Sequence, residues 1–134
     1  MPEIKNKQSL FKLNENKILR IFAILPMIVT IILLPRMDAK MPSHYNSDGT
    51  VDDWSSKYHF LILPVIILII WLIVEVVLMI FNSKSHGQLD NRMSLQMQTY
   101  SVYVYLAANV IIITLGFMHY YMMYMSIVEN NRIH

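Results

Sequence analysis

The chain has 134 residues, of which 55% are hydrophobic and 15% are charged, and its formal net charge is +2. This composition is typical of a small integral membrane protein, and it excludes a large soluble core. So small a net charge does not indicate nucleic-acid binding, and these residues contain no cysteine for disulfide or thiolate chemistry.

The first two predicted segments are a basic arm at residues 1–17 and a membrane helix at 18–35. The arm is rich in lysine and is predicted to be a solvated segment at the cytoplasmic leaflet. Residues 21–34 are uncharged and short enough for a signal peptide, but no small-residue cleavage site follows them, which favours an uncleaved anchor. Pro26 is expected to bend this helix, because proline lacks a backbone donor.

A polar loop at residues 36–59 is predicted to follow outside the membrane. A loop of that length is usually either functional or disordered, and its composition favours order. The run from Asn46 to Gly49 is a strong turn signal, because Asx side chains close on the backbone and glycine tolerates positive φ. Asp52 or Asp53 is then expected to cap a helix that begins near Trp54 and continues into the membrane.

The second predicted membrane helix, at 60–81, is the most hydrophobic part of the chain. Twenty-two helical residues cover roughly 33 Å, enough to cross the hydrocarbon core of a bilayer. Its one charged residue is Glu75, at a depth similar to that of Asn109 in the third helix. We expect a Glu75–Asn109 hydrogen bond with a protonated carboxyl, either as an inter-helix contact or as a proton- or cation-sensing group.

An inner loop is predicted at 82–99, a third membrane helix at 100–128 and an outer tail at 129–134. Gly87 is the expected break in the loop, and the helix is expected to begin around Leu89, before the bilayer. His119 in its outer half is expected to be neutral and bonded to a neighbouring group.

The distribution of lysine and arginine predicts the orientation in the membrane. Seven of these residues fall on the predicted inner side and four on the outer side, namely Lys5, Lys7, Lys12, Lys17, Arg20, Lys84 and Arg92 against Arg36, Lys40, Lys57 and Arg132. The excess favours a cytoplasmic N-terminus and an extracellular C-terminus. The sequence therefore predicts an all-α, multi-pass protein of the plasma membrane, a single domain with three transmembrane helices and one ordered extracellular loop.

The outer loop contains a recognisable motif: a Pro-x-His-aromatic string, a glycine five residues after the histidine, an acid three residues later, and a lysine at the mouth of the next helix. Its residues are Pro42, His44, Tyr45, Gly49, Asp52 and Lys57. From residue 34 to residue 64 the chain resembles a bacterial membrane family labelled domain of unknown function sixteen forty-eight, which also forms the first half of SdpI-type toxin immunity proteins. The resemblance implies a polytopic membrane protein, in some members linked to immunity or signalling against secreted peptides.

Metal binding by this loop is weakly indicated. His44, Asn46, Asp48 and Asp52 place oxygen and nitrogen ligands at alternating positions, loosely like an EF-hand, but Ser55 stands where that motif needs a glutamate. His44, Asp48 and Asp52 are thus only weak metal candidates, and a hydrogen-bonded turn is favoured. No metal or cofactor is expected.

Catalytic motifs are absent from the sequence, so we expect no enzyme, although a membrane enzyme using His44, Asp48 and Asp52 is a third hypothesis. The leading hypothesis is recognition, immunity or sensing through the outer loop, with a secreted peptide or a membrane protein as partner. The alternative is a transport-associated subunit, or a homo-oligomer that uses Glu75 in a pathway for a small ion or toxin. The candidate residues are Pro42, His44, Asn46, Asp48, Gly49, Asp52, Trp54 and Lys57 in the loop, and Glu75, Asn109 and His119 within the membrane.

Overall fold

A computed structural model of the protein describes residues 2–85 and 91–134, with side chains from 17 to 81 and from 95 to 134. Most of the described chain is helical, with a short hairpin between the first two long helices. The elements are α1 (Pro2–Leu33), a 3₁₀ turn (Leu34–Arg36), β1 (Lys40–Tyr45), β2 (Val51–Ser56), a second 3₁₀ turn (Lys57–Leu61), α2 (Ile62–Ser85) and α3 (Asn91–Ile133).

Three helical segments are long and apolar enough to cross a membrane: Lys17–Arg36, Lys57–Phe81 and Leu95–Ile133. Many of their large apolar side chains point away from the protein, which lipid would tolerate and water would not. These features fit a multi-pass membrane protein.

The helices extend beyond the predicted spans. The backbone of α1 is helical from Pro2, where a solvated arm was expected, and α3 runs from Asn91 through the predicted tail to Ile133. Gly87 and Leu89, the predicted loop break and helix start, lie outside the described residues.

The all-α prediction is correct for the long helices and wrong for the outer loop, where β1 and β2 form a two-stranded antiparallel sheet. The predicted turn between them is present, with Gly49 at a φ of +84° and its amide donating to the Asn46 carbonyl at 2.9 Å. Trp54 lies within β2 instead of starting a helix, so neither Asp52 nor Asp53 is a cap. The 3₁₀ turn before α2 is capped by Ser56, whose hydroxyl accepts from the Tyr58 amide.

The helices pack along seams of residues spaced three and four apart, the spacing of one helix face. On α3 the buried seam consists of Ala108, Ile112, Gly116, His119, Met123, Ser126 and Asn130. One apolar cluster joins the three helices near mid-length through Leu19, Ala23, Ile67 and Ile112. A second cluster, formed by Met37, Met41, Phe60 and Met123, lies directly beneath the hairpin and brings β1 onto α3.

Candidate functional site

The hairpin is attached to the end of α1 by Lys57. Its ammonium group donates to the carbonyl of Leu34 at 3.0 Å and to that of Met37 at 3.3 Å, and its amide donates to Ala39. The Leu34 carbonyl also accepts from the Met37 amide at 3.2 Å, so Lys57 adds a charged donor to the carbonyls that follow the end of α1. The predicted lysine at the mouth of the second helix therefore holds three elements together.

The hairpin is attached to α3 by two hydrogen bonds. The Ser126 hydroxyl donates to the Pro42 carbonyl at 2.8 Å, and the Asn130 amide group donates to a carboxylate oxygen of Asp38 at 2.8 Å. Both α3 residues are buried, and they lie one turn apart on its seam. With the apolar cluster below, these bonds fix the hairpin as a rigid platform on the helices.

The opposite face of the hairpin carries an exposed hydrogen-bonded pair. His44 Nδ1 lies 2.6 Å from Asp52 Oδ1, with 67% and 37% of the two side chains exposed. At the hairpin tip, the Thr50 hydroxyl and amide both donate to Asp48. These two bonds hold the pKa of Asp48 below its ordinary value. On this face His44 thus bonds to Asp52, and Thr50 bonds to Asp48. These polar side chains form the outward surface of the hairpin.

The structure thus divides the predicted loop residues between two faces. Pro42 and Lys57 are used for attachment, Gly49 makes the turn, and the Trp54 ring lies 6.4 Å from that of His134. The outward-facing residues are His44, Asn46, Asp48 and Asp52. Within the parts of the chain that the structure describes, no three His, Asp or Glu side chains form a metal site. His44 and Asp52 meet, whereas Asp48 bonds to Thr50.

The predicted Glu75–Asn109 hydrogen bond is wrong. Glu75 accepts from Arg20 Nε and from Trp71 Nε1, both at 3.2 Å, whereas Asn109 donates to the carbonyl of Tyr105 in its own helix. The long side chain of Arg20 reaches from α1 to this carboxylate on α2. A cation is a stronger partner for a carboxylate than an amide is, so the ion pair replaces the expected contact.

We predict that Glu75 has a structural role, which paired substitutions test. Arg20→Leu and Glu75→Leu should each destabilise the protein by about 1 kcal/mol, because each leaves one charge without its partner. The double variant should lose less stability than the sum of the losses in the two single variants, since it retains neither charge. Unfolding in mixed micelles measures all three, and strict additivity would contradict a direct pairing.

His119 is buried and bonded, as the sequence predicted, and its partner is Thr30 of α1. His119 Nε2 lies 2.7 Å from Thr30 Oγ1, which also lies 2.7 Å from the Pro26 carbonyl. The hydroxyl proton goes to the carbonyl, which accepts only, so the hydroxyl must accept from the imidazole N–H. Thr30 was missed, although it is the one polar residue in the apolar run 21–34.

A cavity of about 310 Å³ lies between the hairpin, the start of the second membrane span and the last turns of α3. It is lined by Pro42, Ser43, Tyr45, Gly49, His59, Phe60, Tyr121, Met122, Met125 and Glu129. Burial, and then the negative charge of Glu129, raise the pKa of Tyr45 above its ordinary value. No sequence pattern indicated this cavity, because its residues come from separate elements.

Comparison with known proteins identifies the hairpin region. Residues 21–68 match the model of the family described as Domain of unknown function (DUF1648). The match comprises 48 of the 134 residues, from α1 through the hairpin to the first turns of α2. This part of the chain is similar to that family, whose description names no activity. No curated protein and no solved structure matches the chain.

Proposed function

We propose that this is a non-enzymatic recognition protein of the plasma membrane, which presents the β1–β2 hairpin outside the cell to a secreted peptide or to an extracellular segment of another membrane protein. The observation that carries the proposal is the exposed His44–Asp52 pair on a hairpin fixed from below. A surface that is already held in one conformation loses little conformational entropy on binding, which favours affinity.

The sheet itself offers a second means of recognition. The sheet has two strands, so β2 pairs with β1 along one edge only, and an extended peptide can add to its other edge as a third strand. His44 and Asp52 then provide side-chain contacts beside that edge.

The outward orientation in this proposal is supported by the lysine and arginine count. The immunity or sensing role is supported by the resemblance to SdpI-type proteins.

The transport alternative depends on a Glu75 carboxylate that is free to titrate or to bind a cation. Glu75 is instead held by Arg20 and by Trp71. A homo-oligomeric pathway would have to break or share this ion pair, so recognition through the hairpin is the better-supported proposal.

The proposal predicts that partner binding depends on the exposed pair. A photo-crosslinking residue placed at Ser47, at the hairpin tip, should give one defined adduct in native membranes. His44→Ala and Asp52→Asn should each reduce its yield about tenfold, the effect of losing one charge-assisted contact. Asp53→Asn is the matched control, because Asp53 is exposed and, among the described residues, accepts from the adjacent Trp54 amide alone.

The variants must accumulate in the membrane like the parent chain, and the hairpin must face outward. Because the sequence contains no cysteine, single Ser47→Cys and Lys7→Cys variants report the two sides separately. An impermeant thiol reagent should label Ser47→Cys in intact cells and Lys7→Cys only after permeabilisation. Equal adduct yields in all hairpin variants, or labelling of both positions from the same side, would contradict the proposal.

A further inference from the structure

Three buried polar atoms at the cavity beneath the hairpin make no hydrogen bond to any residue that the structure describes. They are the Ser43 hydroxyl oxygen, the Tyr45 phenol oxygen and His59 Nδ1. Ser126 lies close enough to the Tyr45 phenol for a hydrogen bond that lowers its pKa, but the geometry of that contact is poor and the Ser126 hydroxyl donates to the Pro42 carbonyl, so the phenol oxygen has no well-formed partner. Buried polar groups without partners are costly, so three at one cavity mark it as a place where water or a polar ligand binds.

The cavity wall defines the charge of that ligand. Its one charged side chain is Glu129, which is 13% exposed and pairs with Arg132 outside the lining. Lysine and arginine do not contribute to the wall, so an anion would meet a carboxylate and no cation. Hydroxyl oxygens and an imidazole nitrogen can all accept hydrogen bonds, and a carboxylate can only accept. A cationic donor matches this set.

The rest of the wall is apolar and aromatic. Phe60, Met122 and Met125 provide a surface for a short hydrocarbon chain, and Tyr121 provides an aromatic ring of the kind that attracts ammonium groups. A divalent metal is disfavoured, because the described residues contain no cluster of three His, Asp or Glu ligands. The volume, about 310 Å³, is at the small end of ligand sites.

We propose that the cavity binds a primary ammonium group attached to an apolar chain. The three N–H groups of the ammonium donate to Glu129, to Tyr45 and to Ser43 or His59, while its chain lies against Phe60 and Met125. The cavity lies where one candidate span begins, at Lys57, and another ends, at Ile133. At that level the ammonium can come from a free amphipathic amine, or from a phosphatidylethanolamine headgroup whose two methylenes enter the cavity while its phosphate stays outside the wall. The proposal does not depend on partner recognition by the exposed face.

The full chain in phosphatidylcholine nanodiscs provides the test. Phosphatidylethanolamine added to the nanodiscs and free octylamine are titrated separately, and binding is measured by native mass spectrometry and calorimetry. We expect one saturable equivalent of at least one of them, and the one that binds identifies the source. Phosphatidylcholine and octyltrimethylammonium, which have no ammonium N–H, should bind at least about tenfold more weakly.

Two substitutions separate a ligand site from a structural role. Tyr45→Phe and Glu129→Gln should each weaken amine binding about tenfold, and Asp53→Asn, on the exposed face, should leave it unchanged. Tyr45→Phe should also keep or raise the melting temperature, because it removes a buried hydroxyl that has no partner. Failure of both amines to bind, equal binding of quaternary analogues, or full binding by both cavity variants would overturn the proposal.

Discussion

Replacing Thr30 by valine is expected to destabilise the folded protein by about 1–3 kcal/mol, the cost of leaving a buried donor unsatisfied. Thr30 is 0% exposed and His119 is 2% exposed, so water cannot replace the lost hydroxyl. Valine keeps the shape of threonine and removes the hydroxyl, which accepts from the imidazole N–H and donates to the Pro26 carbonyl. The measurement is the free energy of unfolding in mixed detergent micelles, followed by the fluorescence of Trp54 and Trp71.

Thr114 provides a matched control on α3. Its hydroxyl also donates to the carbonyl four residues earlier, at 2.7 Å, but the residue is exposed. Thr114→Val should therefore change the free energy of unfolding by less than about 0.5 kcal/mol. A double-mutant cycle of Thr30→Val with His119→Leu should show coupling, since the second substitution removes the stranded donor. Equal effects of the two valine variants would contradict a buried pair that joins α1 to α3.

The membrane spans and the hairpin turn follow from local sequence. The apolar runs predict the three candidate spans because their length matches the hydrocarbon thickness of a bilayer. The turn from Asn46 to Gly49 follows from the backbone preferences of these residues, which do not depend on the rest of the fold. These predictions succeed because each rests on a property that a short segment has by itself.

The hairpin strands could not be predicted in the same way. Within residues 51–56, Asp52 and Asp53 directly precede Trp54, and two acidic residues before an aromatic one also suit the start of a helix. They become a strand because β1 pairs with them, and β1 is held by Met41, which is 2% exposed against Phe60 and Met123. Tertiary packing thus overrides the local preference.

The polar contacts depend on geometry that the sequence does not contain. Asn109 was predicted as the partner of Glu75 because the two residues lie at similar depths in the membrane. Depth along the backbone does not show how far a side chain reaches. The longer side chain of Arg20 reaches Glu75 from α1, and Trp71 reaches it from one turn away. The cavity is harder still to predict, because Tyr45, His59 and Glu129 meet only when a strand, a 3₁₀ turn and a helix end pack together.

Replacing Lys57 by methionine is the second prediction with a large expected effect. Methionine keeps an unbranched apolar stem but removes the ammonium that donates to Leu34 and Met37. A hydrogen bond from a charged donor contributes about 1.5–3 kcal/mol, and we expect a loss of at least that size. Because Lys57 joins the end of α1 to the start of the next span, the hairpin amides should also exchange with solvent faster.

Lys40→Met is the control, because Lys40 is an exposed lysine at the start of the same hairpin. This substitution should have little effect on stability or on amide exchange.

Lys57→Met should also lower the crosslinking yield from Ser47, although His44 and Asp52 are both intact, because recognition depends on a hairpin held in one position. Unfolding in micelles, hydrogen exchange of residues 40–56 and adduct yield should therefore change together. If stability and exchange change while the adduct yield does not, the hairpin binds its partner without being fixed to the helices, and the rigid-platform proposal is wrong.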